Sequence, residues 1–528
     1  MWLHLTLAGI LGGLNTLAFA PAQYGSWLEL IIFPCMFWLL SQTSTLRSAI
    51  LVGGTFGFGQ FVSGVWWLYV SMHFYGNTPA LIAAIIVVLF SLYLALYTAL
   101  SAGLCYICCA PSRRWATFMP SWHASIAFAC SWTLGEWLRG TLFTGFPWLA
   151  SGYAQVNGPL AGFAPLFGVY GVGWILAFFS ALIIQTTTRI LSGADVATWF
   201  LPASAAAALL FGGALLLHVI WTQPCGPVLS VRLLQGNIEQ HSKFEMLSMC
   251  HAISLYQRLI TEKPADLIIT PETSIPFPPY EVSPEFCRAI QNFADTTHTS
   301  VLFGAVGIKT GLNESINFTN ILYGIIPGSS IPYQYEKHHL VPFGEFVPYG
   351  FQWFVNMMKI PLGNCSRGDS IQLPFIVHGQ SISPNICYEN IFGEEIALML
   401  RRNPYQANLL VNSTNLGWFG NTIAQEHHLQ IAQMRALETG RPMLCATNTG
   451  VTAMIDTNGS VIAQLHRFTV GALDVRIQGR SGTTPYIVTG NITILIASLV
   501  GLPIAFWTEI RVRDSRTRTS NNILSIQE

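Results

Sequence analysis

The chain has 528 residues, 52% of them hydrophobic and only 9% charged, with 25 basic and 25 acidic side chains balancing to a formal net charge of zero. Ordinary soluble proteins carry roughly 25% charged residues, so this composition excludes a wholly soluble chain and places much of it in lipid. Balanced charge argues against nucleic acid as a partner, because neutralising phosphates takes concentrated Lys and Arg.

The mean hydropathy of +0.46 conceals an uneven distribution. Up to Thr222 the only charged residues are Glu29, Arg47, Arg113, Arg114, Glu136, Arg139, Arg189 and Asp195. Apolar stretches fall near 1–20, 27–43, 48–72, 80–109, 122–138, 162–187 and 198–221, with one more near 486–508. A span needs about 20 apolar residues, so these predict about eight membrane helices. The first stretch lacks Lys and Arg in its leading residues and is expected to be a retained span rather than a cleaved signal. With the N-terminus in the cytoplasm, Arg47, Arg113, Arg114 and Arg189 fall in cytoplasmic loops, and so does the tail carrying Arg511, Arg513, Arg516 and Arg518. Arg139 is the exception. Seven spans before the polar block would place that block outside the cytoplasm.

The expected organisation is a transmembrane domain over 1–222, a catalytic domain over 223–485, a last span over 486–508 and a basic cytoplasmic tail over 509–528. Within the polar block, Val228–Leu234, Asp266–Thr270, Ser300–Gly307, Asn320–Ile326, Ser381–Ile386 and Asn408–Asn412 read as strands. Segments 243–262, 283–296, 390–402 and 422–438 read as amphipathic helices. Alternating strands and helices predict sheets covered by helices. The exported cysteines show no tight disulfide or zinc spacing. Cys105, Cys108 and Cys109 lie in an apolar span and read as packing residues. The pairs His338-His339 and His427-His428 are adjacent rather than spaced for ligation, so no metal site is expected.

Three short motifs carry the chemistry. Glu272 follows the apolar run Leu-Ile-Ile-Thr, Lys337 follows Tyr333–Tyr335, and Cys387 ends Ser-Pro-Asn-Ile-Cys. Each is expected at a strand end, where loops can bring side chains into one cleft. A free thiol has a pKa near 8.5 and needs a base or a cation to supply thiolate. Glu272 is the candidate base, its proton affinity raised by burial. Lys337 is placed to favour the thiolate and to face the oxyanion of a tetrahedral intermediate. Attack by Cys387 on an ester or amide would leave an acyl-thioester. Phe351, Trp353, Phe354, Met357 and Met358, with Phe277, form apolar clusters in Pro-rich stretches that suit either a lid over acyl chains or ordinary core.

A Glu, a Lys and a Cys in this order resemble the nitrilase superfamily, whose fold would be an extracytoplasmic α/β sandwich of α-β-β-α layers. The whole chain resembles the apolipoprotein N-acyltransferase family. The resemblance rests on Gly64–Ser71 and Glu136–Gly140 with Thr144–Trp148, which soluble nitrilases lack. In the polar block it rests on Gln235–Ile238, Tyr335–Glu345, Cys387–Glu389 and Met434–Glu438. Leu416 departs from it, standing where the family commonly carries Asp.

The resemblance implies transfer of an acyl chain from a phospholipid, through a thioester on Cys387, to the amine of a diacylglyceryl-modified N-terminal cysteine. Catalytic roles would fall to Glu272, Lys337 and Cys387, with support from Glu345, Tyr388 and Glu389. Substrate contacts are expected from Arg139, through lipid headgroups unless it is simply a structural partner of Glu136, and from Trp353, Phe354 and Trp418. No cofactor is implied. Expected partners are the phospholipid donor, the apolipoprotein acceptor and membrane lipids, at the bacterial inner membrane, with the chain a monomer. The alternative is a membrane-tethered nitrilase-type amidase, in which water resolves the thioester. A polytopic transporter is disfavoured by the scarcity of intramembrane charge and the lack of paired repeats.

Overall fold

The computed structural model describes residues 1–109, 121–240, 245–279, 281–310, 316–348, 350–351, 365–403 and 405–524. They form two units. One comprises Met1–Trp66, Ala84–Val219 and Asn491–Glu528; the other comprises Trp67–Ala83 and Ile220–Gly490.

All eight apolar stretches fold as helix: Trp2–Asn15, Gly25–Ser41, Leu46–Gly64 continued by Trp67–Val70, Ala80–Cys109, Trp122–Thr141, Ala164–Leu191, Val196–Leu216 and Ile492–Leu524. Among the described residues, three helices are long and apolar enough to cross a membrane: Ala80–Cys109, Ala161–Leu191 and Val196–Leu216. A fourth joins them if Leu46–Gly64 and Trp67–Tyr75, bent by 46° at their junction, count as one span. The last helix does not stop at the expected boundary but continues through the basic stretch to Leu524.

Small residues set how the first helices meet. A Cβ on Gly12 would lie 1.9 Å from the Phe56 carbonyl oxygen, and one on Gly59 would lie 2.2 Å from that of Gly9. The two backbones therefore touch, which suits lipid, where close packing rather than hydrophobic exclusion drives helix association. The two buried carboxylates of this unit each find a donor at hand. Glu29 accepts from Gln155 Nε2 at 2.8 Å, and Glu136 accepts from the Ser151 amide at 2.8 Å.

The second unit is built on two six-stranded sheets. The strands are β1 Thr222–Gln235, β2 Leu267–Ile269, β3 Ser300–Thr310, β4 Ile316–Ile325, β5 Tyr333–Glu336, β6 Phe375–Val377, β7 Gln380–Ile386, β8 Leu409–Thr414, β9 Met443–Thr447, β10 Ala453–Ile455, β11 Val461–Gln464 and β12 Gly471–Gly482. One sheet has the order β12-β1-β2-β3-β4-β5 and the other β11-β10-β9-β8-β7-β6.

Period-2 alternation decides the layering. Leu229, Val231, Leu233, Leu267, Ile269 and Leu302 from the first sheet meet Ile382, Ile386, Leu409, Val411 and Leu444 from the second in one core. Ile268, Val301 and Phe303 turn the other way, against helices Met246–Thr261 and Pro284–Thr297. Leu410, Met443 and Cys445 likewise face helices Gly393–Arg402 and Ala424–Thr439. The result is a sandwich of helix, sheet, sheet and helix.

In each sheet the central strands run parallel, β1–β2–β3 in one and β7–β8–β9 in the other. Parallel strands covered on both faces read as unbroken apolar runs, and Leu-Ile-Ile in β2 is such a run. Ser413 Oγ in β8 donates to the Thr270 carbonyl at 2.9 Å, tying the carboxyl ends of the two sheets together.

Candidate active site

Glu272 sits in the turn after β2, with Thr273 at φ 50°. This turn lies directly against β3. A Cβ on Gly304 would come within 2.4 Å of the Pro271 carbonyl oxygen, 2.5 Å of the Thr273 nitrogen and 2.8 Å of the Glu272 Cα. Only a glycine lets the strand support the turn so closely. Gly304→Ala is therefore expected to push Glu272 out of place, slowing turnover and costing about 1–3 kcal/mol, as overpacking does. Thermal melting and a turnover assay on the purified variant check this.

The Glu272 carboxylate, nearly buried, accepts from Lys337 Nζ at 3.1 Å, Asn320 Nδ2 at 2.7 Å and the Asn415 amide at 2.9 Å. Burial favours the neutral acid, but these three donors favour the carboxylate, the form a base needs. Lys337 follows β5, and its ammonium is 1% exposed. It also donates to Glu345 Oε1 at 2.9 Å, while Glu345 Oε2 accepts the Val341 amide at 2.9 Å. The two carboxylates hold the lysine proton well above the usual lysine range despite desolvation, so Lys337 stays cationic.

Cys387 leaves β7 at φ 51°, the left-handed region that L side chains rarely occupy. The carbonyl of Cys387 is fixed by Asn412 Nδ2 and His428 Nε2, both at 3.3 Å. Burial pushes the His428 pKa down to about 4, so its imidazole is neutral and donates through Nε2–H to that carbonyl. Burial and the Glu272 charge push the Cys387 thiol up to about 12, with Lys337 and the neighbouring Thr414 hydroxyl acting the other way. The resting residue is a neutral thiol. Attack then requires a base that takes the proton as the sulfur–carbon bond forms, and Glu272 is the carboxylate whose charge the thiol feels most.

Glu389 ties two of these loops together. Its buried carboxylate accepts from the Ile386 and His338 amides, both at 2.6 Å, from the His339 amide at 3.2 Å and from Tyr335 Oη at 3.0 Å. Desolvation raises its pKa to about 7 against the pull of those amides and of Lys337. Tyr388 is half-buried and packs edge-on against Phe392 and His339, the latter stacked on Phe392 at 3.6 Å. Its surroundings are therefore a small aromatic group beside the thiol.

The remaining expected contacts diverge. Trp418 is 36% exposed and packs edge-on against Tyr75 at 6.2 Å, in the turn after Asn415. Arg139 differs from the expectation of headgroup contact. It is buried, lies over the Phe61 ring, and donates through Nη1 to the Phe146 and Trp148 carbonyls at 2.7 and 2.6 Å. A guanidinium committed to closing the 142–148 turn presents no free face at a surface. Trp353 and Phe354, with Met357 and Met358, lie outside the described residues.

Leu416, the departure noted above, is buried, and its carbonyl accepts Gln425 Nε2 at 3.1 Å. Asn415 does the polar work of that loop. Besides holding Glu272, it donates to Gln240 Oε1 at 2.7 Å and accepts from Asn448 Nδ2 at 3.1 Å. Asn320, Thr414, Asn415 and His428 were not among the residues expected from sequence. Only Asn320 carried a signal: an amide in the middle of a β-rich segment, where Asn is depleted.

Comparison with known proteins shows the family. Residues 11–182 match the family model described as apolipoprotein N-acyltransferase N-terminal domain, and residues 230–486 match the carbon-nitrogen hydrolase model. The chain is 47% identical to the apolipoprotein N-acyltransferase of Ralstonia nicotianae, over 94% of this chain and 92% of that one. It is 40% identical to that of Nitrosomonas europaea, over 95% and 96%. Among solved structures it is similar to the C. elegans NitFhit protein, at 16% identity and a TM-score of 0.37, over 48% of this chain and 61% of that one. The full-length similarity at these identities, with both parts matched, decides the matter: the chain belongs to the apolipoprotein N-acyltransferase family.

Proposed function

We propose that this protein moves a fatty acyl chain from a phospholipid to the α-amine of a diacylglyceryl-cysteine at the N-terminus of an apolipoprotein. The observation that carries this reading is the buried Lys337–Glu272 pair, whose opposite charges both act on the half-buried Cys387 thiol.

In the first half-reaction Cys387 sulfur attacks the ester carbonyl while its proton passes to Glu272. The oxyanion forms beside Lys337. The carbon–oxygen bond then breaks, and Glu272 returns the proton to the departing lysophospholipid oxygen. In the second half the α-amine attacks the thioester and gives a proton to Glu272; the carbon–sulfur bond breaks and the thiolate recovers that proton. Ester to thioester to amide is downhill overall, so the sequence of steps needs no nucleotide.

In this reading Glu345 orients Lys337, and Tyr388 and Glu389 shape the loop carrying the thiol. Trp353, Phe354 and Trp418 supply apolar surface to the acyl chain. The enzyme acts as a monomer in the bacterial inner membrane, with about eight spans drawn from 1–222 and 486–508. The catalytic domain, 223–485, faces the periplasm, and both termini lie in the cytoplasm. The loop charges favour this orientation.

Mass spectrometry of Cys387 tests the reading, using detergent-solubilised protein incubated with phosphatidylethanolamine and then with a diacylated lipopeptide. A hydroxylamine-sensitive acyl adduct that disappears as triacylated peptide forms is expected. An adduct discharged equally by water would make the protein an amidase-type hydrolase. Activity persisting without any adduct would overturn the thioester route.

A further inference from the structure

Asn320 stands near the middle of β4, a strand otherwise rich in apolar and β-branched residues. Its side-chain nitrogen donates to Glu272 Oε1 at 2.7 Å and to Glu345 Oε1 at 2.8 Å. Those same two oxygens receive Lys337 Nζ at 3.1 and 2.9 Å. Asn320 also holds the lysine by its main chain, since the Lys337 amide donates to the Asn320 carbonyl at 2.8 Å. Three charged groups from separate turns and loops therefore converge on one neutral residue.

The charges explain why a neutral donor belongs there. Two carboxylates share one ammonium, a net charge of minus one in a nearly closed space. Like charges so placed drive one carboxyl to keep its proton. A protonated Glu272 could not receive the proton of Cys387. The two N–H bonds of an amide, one aimed at each carboxylate, satisfy both without adding charge and without titrating. The amide orientation follows from its partners: carboxylate oxygens accept only, so nitrogen must lie between them. Among the described residues, Asn320 Oδ1 is buried with no hydrogen-bond partner. The side chain is thus held by its donor end, at the expense of an unpaired acceptor.

We propose that Asn320 is a positioning residue that keeps Glu272 ionised and aligned while Glu345 shares its lysine. This rests on the acyl-transfer reading for the identity of the reaction, but not for the role of Asn320 in activating the thiol.

The test compares wild type, Asn320→Leu and Asn320→Asp in full-length, detergent-solubilised protein. Two rates are followed across pH: acylation of Cys387 by phosphatidylethanolamine and alkylation of Cys387 by iodoacetamide. Asn320→Leu should slow both by about 10–100-fold, part of the 10²–10⁴ that a positioned base contributes. Its acid limb should move up by about one pH unit as the carboxylates lose their shared donor. Asn320→Asp should be slow at neutral pH and recover partly as pH falls, because a protonated Asp again donates.

A folded Asn320→Leu with an unmoved acid limb, whether its rate is normal or uniformly reduced, would overturn the proposal. Should that variant fail to fold, the low-pH recovery of Asn320→Asp decides in its place, and no recovery counts against the role. Wild type that is alkylated normally but never acylated would instead defeat the acyl-transfer reading and leave the alkylation profiles to judge Asn320.

Discussion

Cys387→Ala should abolish acyl transfer, with no adduct at residue 387 and turnover lower by about 10⁴–10⁶, the range seen when a covalent nucleophile is deleted. The same variant should fold. Position 387 holds φ 51°, a strained backbone for any residue with a Cβ, and Ala meets the same strain as Cys. The loop is anchored by other groups, namely the Cys387 carbonyl with its Asn412 and His428 donors and the Glu389 carboxylate with its amides. Thermal melting near that of wild type, with activity gone, is the expected pair of results. Retained transfer would mean that acyl chains pass directly from lipid to amine.

Lys337→Met should harm both activity and stability, for separable reasons. Removing one oxyanion donor slows such reactions by about 10²–10³. Removing the cation also leaves Glu272 and Glu345 facing each other in a nearly buried site, and breaking a buried ion pair from one side costs about 3–5 kcal/mol. A second change, Glu345→Gln, should restore much of the stability of Lys337→Met by removing the excess charge, yet none of the activity. Chemical denaturation and turnover of the single and double variants check both halves. Additive losses in stability would show that the three groups do not act as one cluster.

Much of the site was legible before any fold was known. The turn residues around Glu272, Lys337 and Cys387 follow short strand-like runs, and strand ends are where a sandwich presents side chains to a cleft. The predicted strands over 228–234, 300–307 and 381–386 fall inside observed ones. The short strands β6, β10 and β11 escaped notice, because three or four residues give too little alternation to separate from loop. Arg139, expected at lipid headgroups, is placed differently. Charge in an apolar chain suggests exposure to lipid headgroups or water, whereas this guanidinium satisfies carbonyls of its own turn.

Composition and local pattern by themselves determined that the described residues ahead of the polar block are mostly apolar helix, that the polar block is layered α/β, and which three reactive groups to watch. These are properties of hydrophobic period and of residue chemistry, and both are written along the chain. Tertiary structure alone decided that Asn320, 48 residues from Glu272 and 25 from Glu345, lies between their carboxylates. It alone decided that Asn415 steadies Glu272 from the opposite sheet, and that desolvation and the Glu272 charge push the Cys387 thiol up. Hydrogen bonds and desolvation depend on which groups meet in space, and sequence distance does not encode that.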